Sequence, residues 1–344
     1  MIKTLNETKV GAFNLQLNLD FHNHTILVRA SVETILQKLG SEFHFFVRES
    51  VTQVDWSLTL KKEVPPEITS IVAHKITETC AIYRMGNRRI IDYFGKAQTI
   101  WDELDKTLEI YSLDEDRLFE LGFLAIHSLI GQKLDQDGLC RIHALGVSVG
   151  NKNAVVMLPS KGGKSTLLTH LLAYSEVNII SDDMPLIGTK GEVYPFPSKI
   201  SLDEIPKVGA LAGLEWNQFN RTHYPPKFTA SLAQFKDRID THSSLHETML
   251  IAGFRLSSGH SLLSPVGRMK MIRPLFEHMI IGVGLPQVIE MFLAFNITDL
   301  IKMAYHGAVR AYCALKLLLR SECYHFYMGP DREANAKILL EKLK

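Results

Sequence analysis

A short stretch of the chain combines glycines, a lysine and two hydroxyl side chains at a spacing that suits nucleotide phosphates. The residues run Gly162-Gly163-Lys164-Ser165-Thr166. They follow an apolar run, Ala154–Leu158, that predicts a strand, and a leucine-rich segment after them predicts a helix over Lys164–Ala173. Glycines let backbone N–H groups turn toward a polyphosphate, and the helix N-terminus adds unpaired donors. The arrangement predicts a P-loop in which Lys164 reaches the β- and γ-phosphates and Ser165 suits Mg²⁺.

One position departs from the strict P-loop pattern G-x-x-x-x-G-K-[ST]. The first glycine is replaced by Leu158, so the loop reads Leu-Pro-Ser-Lys-Gly-Gly-Lys-Ser. Lys161 adds a cation inside the loop, where it either contacts phosphate or is a solvated lysine. The alternative to a phosphate site is a glycine turn capped by lysines. A glycine pair before Lys-Ser-Thr, between a strand and an amphipathic helix, favours the phosphate site.

Two adjacent carboxylates follow the next predicted strand. The segment Val177–Ser181 is apolar and ends in Asp182-Asp183. Ligands of α/β proteins bind at the carboxyl ends of strands, so we expect these carboxylates near the phosphate loop. One carboxylate can hold Mg²⁺ and the other can accept the proton of an attacking hydroxyl. A pair of exposed turn aspartates is the alternative interpretation.

The elements that must position these residues begin near residue 136. A strand over about 141–148 carries His143, and strand, loop, helix and strand then follow as in a βαβ-type unit. Before them, residues 114–133 repeat apolar side chains at helical spacing, and Asp114 is available as an N-cap. Residues 1–110 contain several segments of strand length, among them 13–19, 25–30 and 55–60, that alternate apolar and polar residues or run apolar. We therefore predict a β-rich N-terminal domain over 1–135 and a second domain over 136–344.

The remainder of the second domain is first rich in proline and then has helical periodicity. The chain after Asp183 is rich in proline and predicts loops, and Lys199 and Lys227 within it are candidates to touch ATP or substrate. Apolar residues then repeat at helical spacing over Asp299–Arg320. Pro330-Asp331 starts a final helix. The fold class predicted is mixed α/β with a helical C-terminus.

Length, composition and charge exclude several classes of protein. The 344 residues suggest about two domains, and 46% hydrophobic with 22% charged residues is ordinary for a globular chain. The 38 Lys plus Arg against 37 Asp plus Glu disfavour a nucleic-acid binder that depends on a strong overall positive charge. The four scattered cysteines, the lack of an apolar signal segment and the lack of an uninterrupted apolar span predict a cytoplasmic protein without membrane contact.

These motifs together resemble the HPr kinase/phosphorylase superfamily, the serine kinases whose core is related to phosphoenolpyruvate carboxykinase. In that family a strand with His precedes the P-loop strand, and a strand ending Asp-Asp follows the P-loop helix. The corresponding residues here are His143, Lys164-Ser165-Thr166 and Asp182-Asp183. The segment Glu192–Lys199, with its Pro-Phe-Pro, is similar to HPr-kinase-like proteins of peptide-modification clusters. The clear match spans residues 141–202.

The resemblance implies a role for each matched residue. Asp182 would be the general base on a substrate hydroxyl, and His143 would orient it or tune its charge. Asp183 and Ser165 would be Mg²⁺ ligands. The phosphates of ATP would be held by the loop residues Ser160, Lys161, Gly162, Gly163, Lys164, Ser165 and Thr166.

The resemblance does not extend to every activity of that family. The chain has no Arg-Gly dipeptide, which the bifunctional enzymes carry in a loop linked to the reverse phosphorylase reaction. We therefore expect an ATP- and Mg²⁺-dependent kinase whose acceptor is a serine of a peptide or protein, or a small hydroxyl compound. A nucleotide-binding regulatory module without phosphoryl transfer is the alternative. Self-association remains open.

Overall fold

The computed structural model describes residues 15–69, 71–206, 209–222, 225–288 and 297–344. The chain divides into two units. Unit 1 holds the residues up to Gly40 together with Val47–Gly122, and unit 2 holds Ser41–Phe46 and Phe123–Lys344. The sequence places the boundary near residue 135, whereas the structure divides the chain within a helix, after Gly122.

Unit 1 is built on one nine-stranded sheet, in agreement with the β-rich N-terminal region expected from the sequence. Its strands are Gln16–Phe21 (β1), His24–Ala30 (β2), Val47–Arg48 (β3), Trp56–Lys61 (β4), Lys75–Ile76 (β5), Ala81–Met85 (β6), Arg88–Asp92 (β7), Gln98–Asp102 (β8) and Thr107–Tyr111 (β9). The order across the sheet is β3-β1-β2-β4-β9-β8-β7-β6-β5. Strand β4 pairs in parallel with both β2 and β9, and the other neighbours are antiparallel.

Two helices belong partly to unit 1. Glu33–Glu42 (α1) and Glu115–Gln136 (α2) each begin in unit 1 and run on into unit 2. The carboxylate of Asp114 accepts hydrogen bonds from the backbone N–H groups of Asp116 and Arg117, so it caps α2 as the sequence predicts.

The central sheet of unit 2 has six strands in the order β13-β11-β12-β19-β21-β20. With the shorter strands included, unit 2 contains Cys140–Arg141 (β10), Leu145–Val149 (β11), Lys152–Met157 (β12), Val177–Ser181 (β13), Leu186–Ile187 (β14), Val193–Tyr194 (β15), Lys199–Leu202 (β16), Asn217–Phe219 (β17), Lys227–Ser231 (β18), Glu247–Arg255 (β19), Leu262–Pro265 (β20) and Glu322–Met328 (β21). Two three-stranded sheets, β10-β14-β15 and β16-β18-β17, come from the proline-rich region and its surroundings.

The further helices of unit 2 are Lys164–Leu171 (α3), Ile272–Leu275 (α4), Ile297–Arg320 (α5) and Arg332–Leu343 (α6). A π-helical segment, Phe276–Ile281, continues α4. The carboxylate of Asp331 caps α6 by accepting from the N–H groups of Glu333 and Ala334, as expected for a helix that starts after Pro330.

The strands around α3 have the topology that brings loop and carboxylates to one edge. Strands β12 and β13 each pair antiparallel with β11, which lies between them, so β12 and β13 run in the same direction. Helix α3 connects them. The loop after β12 and the residues after β13 therefore lie at the same edge of the sheet.

Side chains alternate between the two faces of the six-stranded sheet, and a buried apolar cluster lies on each face. On one face, Val156 and Ile251 pack with Leu168 of α3 and Leu339 of α6. On the other face, Val155 and Leu250 pack with residues of α5, including Cys313 and Leu317. The structure is a mixed α/β fold with large sheets and several helices.

The strand predicted over about 141–148 is divided in the structure. Strand β10 ends at Arg141 and β11 begins at Leu145. The backbone N–H groups between them donate to two other segments: Ile142 and Ala144 to Pro185 and Asp183 after β13, and His143 to His278. The break places His143 where three segments of unit 2 meet.

No helix in the described part of the chain has the length and apolar character needed to cross a membrane. The four cysteines, Cys80, Cys140, Cys313 and Cys323, are buried and are not joined by disulfide bonds.

Candidate functional site

The loop between β12 and α3 has a concave backbone. Lys161 and Gly163 both have a positive φ, 62° and 99°, whereas Gly162 between them does not. The N–H of Gly162 donates to the carbonyl of Pro159 at 2.8 Å, and a Cβ at position 162 would lie 2.8 Å from that oxygen. Alternating backbone conformations of this kind turn successive N–H groups toward one point and form an anion-binding concavity. The turn therefore requires glycine at 162 and favours it at 163.

Leu158, the departure from the strict pattern, is accommodated by the core. Its side chain is fully buried and belongs to the cluster between the sheet and α3. On the adjacent strand β19, a Cβ at Gly253 would lie 2.5 Å from Leu158 Cδ2. The side chain of Leu158 thus packs over the bare backbone of Gly253. The loop keeps its turn because the added side chain points into the core.

Lys164, the first residue of α3, lies in a network of charges with His143 and Asp183. Its Nζ is 2.8 Å from His143 Nε2 and 3.3 Å from Asp183 Oδ1, and it donates to the Leu158 carbonyl at 3.2 Å. His143 Nε2 is 3.2 Å from the same Asp183 oxygen. The structure therefore brings together three residues that are far apart in the sequence.

Asp183 remains ionised in this network. Its partial desolvation alone would raise its pKa, but the hydrogen bond to His143 and the charge of Lys164 outweigh desolvation and hold the pKa below its usual range. The Asp183 side chain keeps 45% of its surface exposed. It is a stable anion that a ligand can reach.

Asp182 has the opposite environment. It is 3% exposed, Oδ2 accepts from the Ser165 hydroxyl at 2.8 Å and from the Ser201 N–H at 3.4 Å, and Oδ1 has no hydrogen-bond partner. Burial, and secondly the negative charge of Asp183, raises the pKa of Asp182 to about 7. A carboxyl with a pKa near neutrality and a free oxygen is suited to accept a proton.

The other residues predicted for the site lie around this centre. Ser160 and Lys161 are exposed in the loop, and Thr166 is half-buried in the first turn of α3. Lys199 does not point to solvent. Its Nζ pairs with Glu42 Oε2 and lies 4.1 Å and 4.2 Å from the ring centroids of Phe123 and Phe219. Burial lowers the pKa of Lys199, although Glu42 favours its charged form.

Two residues beside His143 were not found from the sequence. His278 Nδ1 lies 3.4 Å from His143 Nδ1, and the His278 carbonyl accepts the His143 N–H at 2.9 Å. Burial, followed by the charges of His143 and Lys164, lowers the pKa of His278 to about 4, so its ring is neutral at pH 7. Gly284 has a φ of 93°, and a Cβ there would lie 2.3 Å from His143 Cε1. His278 and the bare backbone of Gly284 together fix the His143 ring.

The donors at the start of α3 fit Mg²⁺ chemistry. No group of three or more His, Cys, Asp or Glu side chains within the described ranges is arranged to hold a metal ion. Mg²⁺ prefers oxygen ligands and is commonly held by one or two carboxylates together with substrate phosphates. The Ser165 hydroxyl and the ionised Asp183 are oxygens of this kind.

No known family model matches the chain, and no curated protein is significantly similar to it. The chemistry of which the site is capable therefore follows from its own residues. They offer a loop concavity for an anion, a lysine, a stable carboxylate anion and a buried carboxyl that titrates near neutral pH.

Proposed function

We propose that the chain is a kinase that transfers the γ-phosphoryl group of ATP to a hydroxyl. The observation that carries this proposal is the convergence of Lys164, Ser165, His143, Asp182 and Asp183 behind the glycine loop. The arrangement supports a P-loop core related to the HPr kinases. N–H groups of the loop would bind the phosphates and Lys164 would bind the β- and γ-oxygens.

The proposed transfer step uses the two carboxylates differently. Asp182 accepts the proton of the acceptor hydroxyl through its unpartnered Oδ1 while that hydroxyl oxygen forms a bond to the γ-phosphorus. The bond from the γ-phosphorus to the bridging oxygen breaks, and ADP leaves with the electron pair. Lys164 stabilises the negative charge on the phosphoryl oxygens. Mg²⁺, held by Ser165 and Asp183, would supply further charge neutralisation when bound.

The acceptor we propose is a serine of a peptide or protein, or a small hydroxyl compound. Specificity would come from unit 1 and from the region of β16–β18, because appended domains and loops set specificity on a shared core. A regulatory module that binds ATP without transferring phosphate is the second candidate. It is favoured by the contacts of Lys164 with His143 and Asp183, which engage the ammonium within the chain.

Phosphoryl transfer from γ-labelled ATP distinguishes the two candidates. The parent protein is incubated with Mg²⁺ and a panel of serine-containing peptides, free serine and water as acceptors. The proposal expects label transfer, and Asp182→Asn should lower the rate by about 10³-fold because one general base is removed. Glu109→Gln, a change to a hydrogen-bonded carboxylate in unit 1, is the matched control and should leave the rate unchanged.

Two results would count against the kinase proposal. Turnover by Asp182→Asn at the parent rate would remove the assigned base. Tight ATP binding without transfer to any acceptor of the panel, including water, would favour the regulatory module.

A further inference from the structure

Helix α5 has apolar side chains on two opposite faces. One face is in the core, where Cys313, Ala314 and Leu317 are buried. The other face is exposed and carries six residues, which we call the outer seam: Ile301, Tyr305, Ala308, Tyr312, Leu315 and Leu319. The five large residues of the seam are between 49% and 61% exposed. A helix that buries one face against its own sheet has no need of a second apolar face, so the seam suggests an interaction surface.

The spacing of the outer seam is that of helix-to-helix packing. Its members follow one another at alternating intervals of four and three residues along α5. This alternation is the heptad pattern of coiled coils, in which each side chain inserts between residues of a facing helix. The pattern favours a second helix as the occupant of the seam over a flat or irregular surface.

The seam is also complementary to itself. The intervals read the same in both directions, so two antiparallel copies of α5 align every member. Ile301 then faces Leu319 of the second copy, Tyr305 faces Leu315, and Ala308 faces Tyr312. Near the centre a small residue lies opposite a large one, which leaves room for the tyrosine ring. A surface that matches its own copy after a two-fold rotation is the requirement for a symmetric dimer.

We propose that α5 pairs antiparallel with α5 of a second copy of this chain, through the outer seam, to form a two-fold symmetric dimer. Half-exposure of a large apolar side chain leaves about 100 Å² to bury, so complete burial of the five large residues would supply roughly 500 Å² per copy and roughly 1,000 Å² in all. This area reaches the lower limit of a specific interface, about 1,000 Å².

The residues flanking the seam make the proposal specific. One flank has Ala304 and Ala311, whose small side chains allow close approach of the helices. The other has Lys302, Val309 and Lys316, and antiparallel pairing brings Lys302 of one copy near Lys316 of the other. Lys302 is exposed, whereas Lys316 is half-buried with its Nζ 5.3 Å from the Tyr312 ring centroid. Like charges near the surface repel weakly because water and salt screen them. Replacing one of them with an acid should therefore turn a weak repulsion into an attraction.

The charge reversal Lys316→Glu separates self-pairing from other occupants. In the dimer the new carboxylate lies beside Lys302 of the second copy at both ends of the helix pair, so association at low salt should become severalfold tighter. An acidic protein or an anionic membrane on the same face would be repelled by the same change. Tighter self-association of Lys316→Glu is therefore a result that only self-pairing predicts.

Analytical ultracentrifugation over a concentration series provides the measurement. The parent should sediment as a dimer that dissociates on dilution, Lys316→Glu should dissociate at lower concentration, and Ala308→Glu, which places two carboxylates at the centre of the seam, should weaken the dimer at least 100-fold. Ala308 is exposed, so circular dichroism should show that the variant remains folded. A monomeric parent at all concentrations, or a dimer that Ala308→Glu leaves intact, would overturn the proposal.

Disulfide trapping tests the direction of pairing. Ile301→Cys and Leu319→Cys proteins are mixed and oxidised, and the antiparallel arrangement should give a mixed cross-linked dimer in high yield. Each variant alone should give little cross-link, because the two cysteines would be at opposite ends of the helix pair. Efficient cross-linking of Ile301→Cys alone would contradict the antiparallel arrangement.

Discussion

Unit 1 and unit 2 each contain a cluster of ionisable side chains in which hydrogen bonds link a lysine, a carboxylate and a third residue. In unit 1, Lys61 Nζ donates to Glu109 Oε1 and to the Tyr111 hydroxyl, both at 2.8 Å, and that hydroxyl donates to Glu109 Oε2 at 2.7 Å. Both oxygens of Glu109 have a donor. Desolvation opposes both charges, yet these bonds raise the pKa of Lys61 and lower that of Glu109.

The cluster of unit 2 is not satisfied in this way. Asp183 Oδ1 is shared by His143 and Lys164, whereas the neighbouring Asp182 has a buried oxygen without a partner and a pKa raised to about 7. A buried oxygen without a hydrogen-bond partner lowers the free energy of unfolding, and most buried polar atoms in folded proteins are paired. The two clusters therefore differ in how completely they are paired, and the unpaired carboxyl of unit 2 is the feature that the proposed function uses.

Replacing the lysine of each cluster with methionine gives the largest expected difference in ATP affinity between the two clusters. Lys164→Met should weaken ATP binding about 50-fold, because a charge-assisted contact to phosphate contributes about 2–3 kcal/mol. Lys61→Met should leave ATP affinity unchanged and lower the free energy of unfolding by about 1 kcal/mol, as for one lost hydrogen-bonded pair. Isothermal titration and urea unfolding measure the two effects. Equal ATP affinity in the parent and in Lys164→Met would remove the distinction between the clusters.

The residues in and around the cluster of unit 2 differ in how far the sequence predicts them. Glycine in a tight turn, a helix after it and a strand ending in two carboxylates are local rules, so Lys164, Ser165, Asp182 and Asp183 were identified from a short stretch. His278 is 135 positions from His143, and nothing in its surroundings distinguishes it from a core histidine. The ion pair of Lys199 with Glu42 depends on contacts of the same long range.

The same limit applies to the fold. Alternating side chains identify β4 as a strand, because a half-buried strand must alternate. Alternation says which face is buried but not which strand is the neighbour. The parallel pairing of β2, β4 and β9 at the centre of the nine-stranded sheet could therefore not be predicted. The break between β10 and β11 was missed for a related reason, since its N–H groups bond to distant segments.

His278 contacts the other residues of the unit 2 cluster only through His143. His278→Phe keeps the ring but removes the nitrogen beside His143 Nδ1, so we expect turnover to fall about tenfold, as for one lost positioning hydrogen bond, with little change in ATP affinity. His278→Asn, whose amide can donate, should recover part of the loss. Steady-state kinetics measure the rate, and His242→Phe on the exposed turn is the control. A matching fall in both histidine-to-phenylalanine variants would mean that His278 has no special role.

The carboxyl groups of the two clusters should change stability with pH in opposite directions. This is the smallest of the expected effects. The pKa of Asp182 is raised in the folded protein, so its carboxyl costs stability as the pH rises from about 4 to about 7. In Mg²⁺-free buffer, Asp182→Asn should be more stable than the parent by about 1–2 kcal/mol at pH 8 and nearly equal to it at pH 4.

The pKa of Glu109 is lowered, so its contribution is present above its ordinary pKa of 4.5 and is lost as the pH falls below that value. Glu109→Gln should therefore be less stable than the parent at pH 8, by about 1 kcal/mol, and the difference should shrink toward pH 4. Urea unfolding midpoints at several pH values measure both variants. If the two substitutions shifted stability in the same direction at pH 8, the contrast between a satisfied structural cluster and an unsatisfied functional one would not hold.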